Sequence, residues 1–83
     1  MGLMSRIDHH AHLFGQMADT LRVDLAEALC RGQIQGETLR SAVFRCMNCQ
    51  RAEACQGWLD AHAAGADQTP DYCQNRGLLT RLR

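Results

Sequence analysis

The stretch Phe44-Arg45-Cys46-Met47-Asn48-Cys49-Gln50-Arg51-Ala52-Glu53-Ala54-Cys55-Gln56-Gly57-Trp58-Leu59 decides the reading of this chain. On its upstream side, Leu39, Ala42 and Val43 recur at helical steps, so a helix is expected from Gly36 or Glu37 to Arg45, ending at Cys46-Met47-Asn48-Cys49. On its downstream side a second helix is expected from Ala52 through Ala63, with Cys55, Trp58, Leu59 and His62 on neighbouring turns. Three thiols therefore cluster where one helix stops and the next begins. A fourth, Cys73, follows a loop from Gly65 to Asp71 that contains Pro70, and completes the pattern C-x2-C-x5-C-x17-C.

Working outward, residues Ser5 to Leu21 read as an amphipathic helix, with Leu3, Ile7, Ala11, Phe14, Ala18 and Leu21 as its apolar stripe. Asp24 is placed to cap a short helix reaching Cys30 or Arg31, with Glu27 three residues on and Gly32 as its stop. Leu25, Ala28 and Leu29 are its inward positions, and Cys30 is expected to be buried as a small hydrophobe. Asn75 is placed to cap a last helix containing Leu78, Leu79 and Leu82. No segment alternates with period two long enough for a strand. The expected fold is all-α: four to five short helices around a metal centre held by four cysteines. Residues 1–83 are expected to form one small helical domain, with 1–45 as N-terminal helices and 46–83 as the cysteine-rich metal-binding half.

A chain of 83 residues has a thin core and gains from a staple. Its start turns polar within a few residues, without the apolar core of a secretory signal, and no stretch approaches the ~20 apolar residues of a membrane span. A cytoplasmic location is expected, where thiols stay reduced and clustered cysteines bind metal or do redox chemistry. Five cysteines also suit a closed disulfide framework poorly, because the count is odd.

Cys46, Cys49, Cys55 and Cys73 are thus the expected ligands. Structural zinc sites usually pair two knuckles, whereas here one pair is joined by two single cysteines on or beside helices, which suits a [4Fe–4S] cluster. Zn2+ is the alternative. Arg45, Arg51 and Arg76 lie beside the ligands and are positioned to offset thiolate charge, while Trp58 and Leu59 are candidate shields against water. His62 is either a donor to a cysteine sulfur or, more simply, an exposed residue near a helix end. His9, His10 and His12, with Asp8, form a second concentration; their unequal directions on a helix favour solvated surface positions over a second metal site.

Nine arginines, no lysine and nine acidic residues leave no net charge and no basic footprint. Residues Val23 to Val43 have a helix–turn–helix outline, but Arg40 and Arg45 are the only strong phosphate or guanine contacts it offers. Nucleic acid and membrane are therefore not expected as partners. A protein partner, or a homodimer through the N-terminal helices, is. An enzyme is not expected either: no phosphate-cradling loop, nucleophile elbow or pocketed carboxylate pair is present.

Taken together, Arg45-Cys46-x-x-Cys49, Cys55-x-x-Trp58-Leu59 and Pro70-x-Tyr72-Cys73-x-Asn75 resemble DUF6455, a family of short proteobacterial proteins, across most of the chain. Gln74 departs from that pattern, which has proline there in many members. The resemblance implies that the four cysteines act together and carries no activity with it. The two functional expectations are a cluster-bearing protein with a redox- or oxygen-responsive regulatory or electron-transfer role, and a zinc-stabilised protein-interaction module.

Overall fold

A computed structural model describes residues 2–83. It contains five helices and, among the described residues, no strand: α1 (Leu3–Thr20), α2 (Leu25–Cys30), α3 (Gly36–Met47), α4 (Ala52–Ala61) and α5 (Arg76–Leu82). The all-α expectation holds. None of these helices is long and apolar enough to cross a membrane.

Local chemistry explains most of the boundaries. The Asp24 carboxylate accepts from the Glu27 backbone N–H at 3.0 Å, satisfying one of the free donors that open α2. Glu27 does not reach back to close a box; it pairs instead with Arg31 one turn on. At the far end Gly32 takes a φ of +73°, Gln33 N–H donates to Ala28 and Gly32 N–H to Leu29. This is the six-to-one and five-to-two pairing that closes a helix through a left-handed residue. The end of α1 uses the same device: Val23 N–H donates to Ala18 at 2.8 Å and Arg22 N–H to Asp19 at 2.9 Å. Here the left-handed residue is Arg22, with φ +61°.

α1 packs along α3 and more lightly against α4. Its buried face is His10, Leu13, Phe14, Met17 and Ala18, continued by Leu21 just past its end. The expected stripe is therefore corrected: Leu3 is 59% exposed and Ala11 is exposed, while Leu13 and Met17 face inward. The inward set steps by three and four residues without a break, which is the stripe that a neighbouring helix can cover. Val23, Ala28, Ile34, Ala42, Cys55, Leu59, Leu78 and Leu79 complete the core. Of α2, Ala28 is buried and Leu25 is half-buried against the core, as expected, but Leu29 and Cys30 are exposed; the expectations that Leu29 faces inward and that Cys30 is a core residue are overturned.

Candidate metal centre

The four clustered cysteines come from four different local settings. Cys46 is on the last turn of α3 and Cys49 lies just beyond it, where its N–H donates to the Cys46 carbonyl at 3.1 Å in a tight turn. Cys55 is on the first turns of α4, its N–H closing the first helical bond to Arg51 at 2.8 Å. Cys73 precedes α5 and donates to the Pro70 carbonyl at 3.1 Å. All four line a single small cavity together with Leu13, Phe14 and Met17 of α1, and Ala52, Tyr72 and Asn75. Cys55 is buried, the other three are half-buried, and none is in a disulfide. Cys49 and Cys73 also border an open groove shared with Arg51, Asp71 and Tyr72, so the cavity has one side toward solvent.

Several donors face the sulfurs. Arg51 N–H donates to Cys49 Sγ at 3.4 Å. The backbone N–H of Asn75 and the hydroxyl of Thr69, which donates to the Pro70 carbonyl at 3.1 Å, lie beside Cys73. His10 Nδ1 lies 3.6 Å from Cys46 Sγ. Such donors stabilise negative charge on sulfur.

Without a cation the site favours neutral thiols. Burial, followed by the charges of Cys55, Cys49 and Cys73, pushes the Cys46 thiol up to about 11. Burial, followed by Cys73 and Cys49, does the same to Cys55. Burial also raises Cys73, opposed by the Asn75 N–H, the Thr69 hydroxyl and Arg76. Tyr72 is raised by burial and by the neighbouring thiols, with Arg51 pulling the other way. The charges of Cys55, Cys49 and Cys73 act on Cys46, and those of Cys73 and Cys49 on Cys55, as expected of groups lining one cavity. Among the described residues, however, no three His, Cys, Asp or Glu side chains are gathered tightly enough to hold a single ion.

The flanking residues divide. The Arg51 guanidinium sits 5.8 Å from the centre of the Tyr72 ring. Arg76 pairs with Asp71 at 2.5 Å and with Gln68 at 2.9 Å, holding the loop that carries Cys73. Arg45 is exposed. Trp58 and Leu59 do not line the cavity; Leu59 is in the core, and Trp58 stacks on His62 with ring centres 4.0 Å apart. The residues of α1 and Tyr72 wall the cavity in their place. His62 is half-buried, and its Nδ1–H donates to the Trp58 carbonyl at 2.7 Å, so it serves the end of α4 rather than a sulfur.

His9 and His12 are exposed as expected, but His10 is buried. Burial first, then His9 and Arg6, hold it below the ordinary histidine range. Sequence reasoning missed His10 as part of the site. The signal was present: His10 stands three and four residues before Leu13 and Phe14 and seven before Met17, on the stripe that α1 buries.

The chain belongs to DUF6455, a family of unknown function whose model matches residues 1–83. No curated protein and no solved structure matches it.

Proposed function

We propose that this member of the DUF6455 family holds a [4Fe–4S] cluster on Cys46, Cys49, Cys55 and Cys73 and acts in the cytoplasm as a redox- or oxygen-responsive regulator or an electron carrier. The observation that carries the reading is the convergence of these four thiols on one cavity walled by Leu13, Phe14, Met17 and Tyr72. Apolar walls, thiol ligands and donors aimed at sulfur are the levers by which a protein holds such a cluster and sets its potential.

The ligand pattern supports a cluster over zinc: one close pair, Cys46 and Cys49, is joined by two single cysteines, Cys55 and Cys73, rather than by the second paired knuckle usual in structural zinc sites. Binding would displace protons from Cys46 and Cys55, which are held as thiols in its absence.

Thiol catalysis is a poorer reading. A cysteine nucleophile paired with histidine works through a lowered thiol pKa. Cys46, the one beside His10, is pushed up instead.

The ligands sit at the end of α3, the start of α4 and the loop before α5, and α1 forms the facing wall. Whatever binds them fastens these elements together, so a change at the centre is felt across the fold. A protein partner, or a second copy, is proposed to meet the first turns of α1, where Leu3 and Met4 are 59% and 70% exposed.

Anaerobic purification followed by a visible spectrum and metal analysis of one sample tests the reading. A brown protein absorbing broadly at roughly 400 nm, with about four irons per chain, is the expected result. A colourless protein with one zinc would make it a zinc-stabilised interaction module. A metal-free, stably folded chain would remove both.

A further inference from the structure

One side chain with sulfur and metal chemistry touches the cysteine set from outside it. His10 is 9% exposed on α1, and its Nδ1 lies 3.6 Å from the sulfur of Cys46, 36 positions away in sequence. Burying an imidazole requires a polar partner, and the partner supplied here is a sulfur. His10 is also the polar member of the stripe whose next members, Leu13, Phe14 and Met17, wall the same cavity. The placement is fixed by the packing of α1 along α3 and not by a mobile loop.

We infer that His10 is a positioning residue of this centre, donating its Nδ1–H to the Cys46 thiolate and so raising the reduction potential of what the cysteines hold. The inference rests on the cluster reading above. A metal-bound thiolate only accepts, so the shared proton must reside on Nδ1 and the ring is committed to that tautomer. A donor on a ligand sulfur stabilises the extra negative charge of the reduced state, which is how hydrogen bonds to cysteine sulfurs move cluster potentials. The same bond ties α1 to the end of α3, so the state of the centre and the seating of the N-terminal helix are linked through one contact.

The test uses the full chain, reconstituted anaerobically with iron and sulfide, as wild type, His10→Phe and His10→Asn. Phe keeps a ring of similar size without a donor, while the Asn amide nitrogen falls near the place of Nδ1. Iron content and visible spectrum are read first, then the midpoint potential, then the nitrogen hyperfine coupling of 15N-histidine-labelled reduced wild type. All three chains are expected to load the same iron. The potential is expected to fall in His10→Phe and to return toward wild type in His10→Asn, with a weak coupling in wild type from a nitrogen that is hydrogen-bonded to a ligand sulfur and not itself bound to iron. Equal potentials in the three chains, or the strong coupling of a directly bound nitrogen, would overturn the role given to His10 and leave the cluster reading standing. A wild-type chain that takes up no iron overturns the cluster reading and this inference with it. Should His10→Phe fail to fold, the coupling in wild type still decides: a weak one supports the bond, and none at all, or a strong one, overturns it.

Discussion

The side-chain amide of Asn75 donates to the backbone carbonyl of Ala42 at 2.8 Å, joining the start of α5 to the middle of α3 across 33 positions of sequence. Both residues are buried, at 2% and 0% exposure. Asn75 occupies the position before α5 where a capping side chain is expected, yet it makes no cap bond with its side chain. It spends its amide on tertiary structure.

Asn75→Ala is therefore expected to destabilise the protein by about 1–3 kcal/mol, the range for losing a buried hydrogen bond. Asn75→Asp should be worse than Asn75→Ala, because a carboxylate brings oxygen against the Ala42 carbonyl and has no proton to donate when ionised. Urea denaturation of the two variants checks the order. If Asn75→Asp proves as stable as wild type, the Ala42 bond does not hold α5 in place.

The two helix ends closed by left-handed residues make opposite predictions. Gly32 adopts φ +73° without strain, and a Cβ there would meet nothing within 4 Å, so Gly32→Ala should cost about 1 kcal/mol from backbone conformation alone. Arg22 adopts φ +61° with a Cβ, so Arg22→Gly should gain up to about 1 kcal/mol. Its one side-chain bond, to Ala64 at 3.4 Å, is long and exposed, and offsets little. Thermal melts of the pair should shift in opposite directions.

Those two ends also mark what was legible in the sequence. Gly32 announces its stop because glycine is the usual left-handed residue, and Asp24 announces a start by its carboxylate. Arg22 announces nothing, since only the chain's need to turn toward α2 imposes that conformation on it. The gathering of Cys46, Cys49, Cys55 and Cys73 was legible because those residue types are rare and their spacing is short. The wall opposite them was not. Leu3 and Ala11 fit a helical stripe as well as Leu13 and Met17 do, and the choice between the two is made by which face of α1 meets α3. Once that face is chosen, His10 comes inward with it, and Trp58, the obvious aromatic beside Cys55, is left to stack on His62 away from the cavity.

Cys30 is the exposed thiol of the five, whereas Cys55 is buried and Cys46 and Cys55 are both pushed up to about 11. In the metal-free chain at neutral pH, a thiol reagent is expected to modify Cys30 first, with Cys46 and Cys55 following at least about tenfold more slowly, since the thiolate is the nucleophile. Mass spectrometry of timed digests reads the order. Early modification at Cys55 would mean that the cavity opens on the timescale of labelling. Cys30→Ser should leave the chain's metal content unchanged, since Cys30 takes no part in lining the cavity.

The raised thiols also set an alkaline limit for the metal-free chain. Cys46 and Cys55 move from 9.0 to about 11 on folding, and Cys73 and Tyr72 move in the same direction. Between those values the unfolded chain has released protons that the folded chain still holds, so stability falls as pH rises. The contribution is fully present below 9.0 and is lost through about 11. The melting temperature of the metal-free protein should therefore drop progressively across that interval, with no lysine in the chain to titrate alongside. Cys46→Ser and Cys55→Ser should flatten the fall, because serine keeps a small polar group that does not ionise there. A melting temperature that stays level over the interval in wild type would mean that the thiols are better solvated than their burial implies. With metal bound the same fall should be absent, since coordinated sulfurs have already given up their protons.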